Sequence, residues 1–300
     1  MAYRHRRLFL LAFCLTPLCG FLLSARAVAA PDGLKLPAGV KIEEQPTSPR
    51  AKKIVLIAGS SAHKPGEHDY VNGCLVLLDL LRQTPDVFPV LAIDWPENPQ
   101  TFEGAKAIVM LFDGGNKHAL LKDKRFEQIQ KPAGQGVGIV QLHQVVDYPK
   151  AAGDQARALA GAAWEPGYSK RGHWVATFDT FPNHPIFQGV SPFTIDDGWL
   201  TSLRFSSDSQ QRTTPLLRTL PPKSVSSTPP KGADPGVVAW VFETPQGSRA
   251  FTFTGGHLHK SFAEEGYRRF LVQGILWSAG LEIPGAGAPV ALDPTTLKDQ

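Results

Sequence analysis

Cysteine is scarce in this 300-residue chain, which holds only Cys14, Cys19 and Cys74. Two of the three fall within the first 29 residues, so a chain shortened by that stretch keeps Cys74 alone and forms no internal disulfide. Cys74 lies on the apolar face of an expected helix, which suits a buried small hydrophobe and not a thiolate nucleophile. Several patterns are also missing: a Walker A loop, Cys-x-x-Cys, His-Glu-x-x-His and a Gly-x-Ser-x-Gly elbow. Gly134-Gln-Gly-Val-Gly138 precedes its strand instead of following one, so it is not a dinucleotide fingerprint. No internal repeat is present, and one domain is expected.

A basic excess is lacking as well, although the whole chain carries a formal charge of +4. Four of the 31 Lys+Arg (Arg4, Arg6, Arg7, Arg26) lie in the first 29 residues, which have no acids, leaving 27 against 27 Asp+Glu. A neutral remainder gives no reason to expect nucleic acid as a partner. Residues 1–29 read as a signal peptide: a basic start, an apolar run from Leu8 to Leu23 broken by Pro17, and Ala27-Val-Ala29 as the cleavage site. The run is short of the roughly 20 residues of a membrane span. Cys14 and Cys19 lack the small residues that precede a lipidated cysteine, so no membrane anchor is expected after cleavage. Arg6-Arg7-Leu8-Phe9-Leu10 also resembles a twin-arginine signal, with general secretion favoured. The expected location is periplasmic or secreted.

Beyond the leader, residues 30–52 read as an extended lead-in, 53–283 as the domain and 284–300 as a loose Pro/Gly/Ala-rich tail. Apolar runs predict strands at 53–59, 89–94, 107–112 and 136–142. Helical spacing predicts a helix over 70–82 and another around Phe126 and Ile129. Further strands at roughly 173–179, 214–220, 237–243 and 249–254 extend the sheet, and an amphipathic helix over 263–279 closes the domain. The alternation predicts an α/β fold, flavodoxin-like and doubly wound, with a mostly parallel sheet and helices on both faces. Residues 206–236 form a polar, proline-rich loop long enough to cover a site.

The chemistry concentrates in histidine. The strand ending at Phe253 is broken by Gly255-Gly256 and followed at once by His257 and His259. A second apolar run, Val137 to Leu142, ends in His143. Open α/β sheets place ligands at such strand ends, and imidazole suits proton transfer or metal binding near neutral pH. The loop before the first helix adds His63, Glu67 and His68. His63 either enters the site or faces solvent. His118 reads as a solvated helix histidine, and His184, before Pro185, as a residue that fixes a turn.

Phe253-Thr-Gly-Gly-His-Leu-His-Lys260 and Arg268-Arg-Phe-Leu-Val-Gln-Gly-Ile-Leu-Trp277 carry a family resemblance. Gly136-Val-Gly-Ile-Val-Gln-Leu-His143, His184-Pro-Ile-Phe-Gln-Gly189 and Gly66-Glu-His68 support it. Over about residues 53–283 the chain resembles the ThuA-like (trehalose utilisation) family, which has the class I glutamine-amidotransferase-like fold. The resemblance implies that His143 stands where thiol amidotransferases carry their cysteine, so thiolate glutamine hydrolysis is not available. It implies a catalytic set of His68, Asp113, His143 and His257, with Asp113-Gly114-Gly115 as an oxyanion-binding loop of backbone amides. Substrate contacts then fall to Glu67, Gly114, Gly115, His173, Trp174 and His259. His68, His143 and His257 are candidate ligands for a divalent metal such as zinc. The implied substrate is a keto-disaccharide or keto-glycoside, handled by an isomerase, lyase or hydrolase with histidines as acid and base. The alternative is an exported sugar-binding protein that retains the fold without chemistry. Oligomeric state is open. Two stretches depart from the family pattern: Gly161-Ala-Ala-Trp-Glu-Pro-Gly167 lacks a histidine that relatives carry, and Asp196-Asp-Gly-Trp-Leu-Thr201 lacks their following aromatics.

Overall fold

A computed structural model describes residues 28–297, apart from Asp32, Ala62, 206–209, 226–227 and 245–246. The expected leader falls almost wholly on residues 1–27, outside the described residues. Among the described residues, no helix is long and apolar enough to cross a membrane.

The chain runs through β1 (Lys52–Ala58), α1 (Tyr70–Leu81), β2 (Val87–Ile93), β3 (Ala107–Leu111), α2 (Arg125–Gly134), β4 (Gly138–Leu142) and α3 (Gly153–Ala160). It continues through β5 (Ala162–Ala163), β6 (Lys170–Phe178), β7 (Phe193–Thr201), β8 (Arg204–Phe205), β9 (Thr213–Arg218), β10 (Val237–Glu243), β11 (Arg249–Phe253) and α4 (Glu265–Ser278). Seven strands form the central sheet in the order β2-β1-β3-β4-β11-β10-β9. The first five are parallel, and β10 and β9 are antiparallel additions. The central strands β1, β3 and β4 are near-continuous Val/Ile/Leu runs because both faces are covered. One face packs under α1 and α4, through Cys74, Leu77, Phe270 and Ile275. The other packs under α2 and α3, through Phe126, Ile129, Ala156 and Leu159. The doubly wound α/β class expected from the pattern is the class observed.

Two expectations change, those for the 173–179 strand and for the C-terminal tail. The strand near 173–179 does not extend the sheet; β6 pairs with β7 as a separate antiparallel hairpin in register from Lys170↔Thr201 to Phe178↔Phe193. The pattern of β6 explains this: Trp174, Ala176 and Phe178 are buried, while Arg171, Val175 and Thr177 are exposed. A strand apolar on only one face covers a core instead of sitting inside it. The lead-in is docked at Ile42 and Glu43, both buried; the Glu43 carboxylate caps the 97–101 turn by accepting from the Glu97 and Asn98 amides. The start of the C-terminal tail is also docked. Ala288 and Val290 are buried, and Arg268 Nε donates to Val290 O at 3.0 Å while Ala288 N donates to Gln273 Oε1 at 2.7 Å.

Candidate functional site

The parallel topology brings the ends of β1, β3, β4 and β11 to one edge. There His143 follows β4 with a backbone φ of 52° and His68 precedes α1 with a φ of 50°. A left-handed residue that is not glycine is uncommon and strained, and such strain gathers at functional sites. Gly256, at a φ of 101°, makes the turn that delivers His257. The loop ahead of α1 is clipped to the segment after β11: His68 N donates to His257 O at 2.8 Å, and His259 N donates to Gly66 O at 2.9 Å. These backbone bonds fix His68 beside His257 although 189 residues separate them.

Four imidazoles meet in a cup of about 240 Å³. Ring centres of His68 lie 5.0 Å from His143 and 4.2 Å from His257; His143 and His257 are 5.3 Å apart, and His173 is 4.5 Å from His257. Gly198 makes this approach feasible, since a Cβ there would stand 2.9 Å from His257 Cγ and 3.0 Å from His173 Cε1. His143 Nδ1 lies 2.9 Å from Thr254 O, and only a protonated nitrogen can donate to a carbonyl. Its Nε2 is therefore a bare lone pair, buried and without a partner. Gln144 Nε2 donates to His68 Nε2 at 3.0 Å, and that nitrogen lies 2.8 Å from His257 Nδ1. The ligand-capable atoms of His68, His143 and His257 all lie within 4.8 Å of one another.

Burial keeps these rings neutral at physiological pH. Desolvation, reinforced by the neighbouring imidazoles, lowers His68 and His257 to about 4 and carries His143 well below its ordinary value. His257 Nε2 is 3.9 Å from Glu67 Oε2 at the rim.

The other expected site residues divide. Asp113 turns toward the loop ahead of α1, where its Oδ1 meets Tyr70 Oη at 2.9 Å and His63 Nε2 at 2.9 Å. Burial pushes its carboxyl up, but hydrogen bonds from Ser61 and Tyr70 and the nearby His63 hold it below the usual carboxylate range. His63 thus faces inward, 4.5 Å ring to ring from His68. Gly114 and Gly115 are not among the residues that line the cup. The Gly115 amide donates to Asp147 O at 2.8 Å, and Gly114 packs so closely that a Cβ would meet Gln144 O at 2.2 Å. Trp174 is buried and points away from the cup, its indole N–H donating to Thr219 Oγ1 at 2.9 Å. His259 packs its ring on Phe262, 5.6 Å away, outside the cup lining. Among the described residues, none of 206–236 lines the cup. His118 is not solvated. It is fully buried, with Nε2 bonded to Val145 O at 3.0 Å and Nδ1 accepting from Leu120 N at 3.2 Å. His184 caps a turn, its ring accepting from Ile186 N at 3.3 Å.

Asp197, on β7, was not among the expected site residues. It is wholly buried beneath the segment that carries His257. Oδ1 accepts from the amides of Gly198 (2.8 Å), His257 (2.8 Å) and Leu258 (3.2 Å), and Oδ2 accepts from Gly256 N (2.8 Å) and Ser261 Oγ (3.3 Å). Burial raises its carboxyl to about 6, against the pull of those amides. Gln144, Arg171, Gly172, Trp199 and Leu200 also line the cup. The sequence marks Gln144 only by its place next to His143, and nothing in the local pattern singles out Arg171.

A family model described as "ThuA: Trehalose utilisation" matches residues 60–278. No curated protein matches. Among solved structures, a ThuA-like protein from Bacteroides uniformis is 16% identical with a TM-score of 0.56, over 78% of this chain and 94% of the other. A ThuA-like protein from Parabacteroides merdae is 14% identical with a TM-score of 0.55, over 78% of this chain and 92% of the other.

Proposed function

The chain belongs to the ThuA family, and from that premise we propose that it is an exported enzyme of carbohydrate utilisation whose histidine cup acts next to the carbonyl of a keto-sugar. The observation that carries the reading is the convergence of three neutral imidazoles, with the bare Nε2 of His143 aimed into the cup. A buried lone pair without a partner costs about 1–3 kcal/mol, and a cation in the cup removes that penalty. Two nitrogens on one tetrahedral ion stand roughly 3.3 Å apart at ordinary zinc distances, inside the spread of this cluster. The donor set of His68, His143 and His257 therefore fits a divalent metal such as zinc, with an open side toward the cup. When bound there, such an ion would polarise the sugar carbonyl.

The chain's own groups supply the rest. Thr254 O holds the His143 ring in one tautomer, as outer partners of ligand imidazoles do, and Gln144 donates to the His68 nitrogen that faces His257, a bond that a metal on that nitrogen would replace. His173 lines the cup as a group that takes and returns a proton, and Glu67 lies on the far edge of the His257 ring, 3.9 Å from its Nε2. A cup of about 240 Å³ is below the roughly 300–1,000 Å³ of drug-sized sites, which suits one sugar ring.

The test measures metal content of untagged protein purified without chelator, followed by exchange of solvent deuterium into keto-glucosides. Close to one equivalent of metal is expected, lost in His143→Ala together with at least 10²-fold of the exchange rate. Less than about 0.1 equivalent with exchange intact would remove the metal from the reading. Binding of plain sugars without any exchange would favour the sugar-binding alternative.

A further inference from the structure

Among the described residues that line the cup there is no Asp or Glu; the polar side chains are the four imidazoles, Gln144 and Arg171. The carboxylates nearby are engaged elsewhere. Asp197 accepts backbone amides beneath the His257 segment, Glu67 lies on the far edge of the His257 ring, and Asp147 pairs with Arg171. Arginine keeps its charge at every accessible pH, so Arg171 is the one permanent charge in the lining.

That charge is held in place. Arg171 Nη2 donates to Asp147 Oδ2 at 2.9 Å, and the guanidinium lies 4.1 Å from the centre of the Trp164 ring. Asp147 and Trp164 are themselves joined by a β-bridge, with Trp164 N donating to Val146 O at 2.8 Å. The side chain is nonetheless 50% exposed. The bond to Asp147 occupies one of the five N–H donors of a guanidinium and leaves the others for a ligand. Arg171 and His173 are both exposed on β6 while Trp174 is buried, so the pleat sets them on one face, roughly 7 Å apart along the strand. A single sugar ring with its exocyclic carbon spans that order of distance. Neutral sugar hydroxyls donate as well as accept, and this lining gives their protons no charged acceptor. A carboxylate only accepts, and a positioned guanidinium offers it paired N–H donors.

We propose that Arg171 reads a carboxylate on the substrate, and that the keto-sugar of this site is a sugar acid, such as a uronic acid or its glycoside, instead of a neutral sugar. The inference rests on the reading above, in that the cup receives the sugar. One guanidinium that already shares its charge with Asp147 matches a single negative charge, and not the nearly two charges of a phosphate monoester.

The experiment measures binding of methyl glucuronide, methyl glucoside and methyl glucoside 6-phosphate to the full protein by calorimetry, with chelator present so that no bound cation attracts the acids. Methyl glucuronide is expected to bind about tenfold more tightly than methyl glucoside, from hydrogen bonds to a charged group, and the difference should shrink as salt is raised. Arg171→Lys should lose most of that preference, because an ammonium keeps the charge without the fork. Arg171→Gln alone would leave the buried Asp147 unpaired, so it is made together with Asp147→Asn, and this pair should bind the two methyl compounds equally. The wild-type comparison stands even where a variant does not fold. Equal affinity of the wild type for glucuronide and glucoside, tighter binding of the phosphate, or a preference that survives the paired substitution would each overturn the carboxylate site. The two readings fail separately. A glucuronide preference without exchange into any keto-sugar leaves the carboxylate site and removes the chemistry, and exchange into neutral keto-glucosides without a glucuronide preference does the reverse.

Discussion

Replacing Asp197 by asparagine keeps the shape of the side chain and changes the hydrogen-bonding sense of one of its two oxygens. If the remaining oxygen serves the amides of Gly198, His257 and Leu258, the new amide group faces the Gly256 N–H, which now has no acceptor. Ser261 can rotate to accept, so one buried N–H is orphaned, at about 1–3 kcal/mol. The opposing effect is similar in size. Burial lifts the Asp197 carboxyl from 3.8 to about 6, so holding it ionised at neutral pH costs on the order of 3 kcal/mol, which asparagine does not incur. Because the two nearly cancel, the melting temperature should move by no more than a few degrees.

Position is what should change. Four backbone amides at 198 and 256–258 are gathered on one carboxylate, and His257 lies among them. A shift of about 1 Å in a group at the reacting centre can cost 10²-fold in rate. Asp197→Asn should therefore lower turnover of keto-glucosides by about that factor and weaken metal binding about 10- to 100-fold, in a protein that melts almost as the wild type does. Combined with His257→Ala it should add nothing further, because it acts only through that residue. The pH dependence supplies a second readout. A buried acid with a raised folded pKa is protonated in the fold before it is in the unfolded chain. Stability is thus greatest below 3.8 for this group and declines as pH rises through about 6. That slope should be present in the wild type and absent from Asp197→Asn in urea titrations across the window. Wild-type turnover and metal affinity in the variant, or an effect that multiplies with that of His257→Ala, would refute the positioning role.

Two further substitutions test the surrounding fold. Cys74 is wholly buried on α1 and its thiol is raised well above the ordinary range by burial alone, so Cys74→Ala should cost about 1 kcal/mol in unfolding free energy and leave turnover unchanged; rapid inactivation of the native protein by a thiol alkylator, absent in the variant, would contradict this. His118 is fully buried and lowered by burial from 6.5 to about 4, so its share of stability is complete above pH 6.5 and is lost as pH falls toward 4. His118→Gln should flatten that acid limb by about 2 kcal/mol at pH 5 relative to pH 7, and an unchanged limb in the variant would show that another group titrates there.

The His143 and His257 half of the candidate site was legible because these residues lie at the ends of buried strands. A continuous apolar run followed by glycine and histidine signals both a parallel strand and the edge to which it delivers its last side chain, so His143 and His257 could be placed together without coordinates. The hairpin half was not. The alternation of β6 was visible in Trp174, Ala176 and Phe178, and read strictly it excluded a place inside the sheet. Its partner strand β7 was hidden by Asp196-Asp197-Gly198, a triplet that reads as a turn. Asp197 tolerates burial there only because it collects amides from a segment about 60 residues away, and an acceptor's long-range amide partners leave no local trace in a sequence. The same reasoning covers Trp174 and Arg171, whose surroundings are set by the hairpin and the loop beside it. The histidines of the candidate site are therefore written at its strand ends, whereas the pairing of β6 with β7 and the seat of Asp197 arise only in the folded molecule.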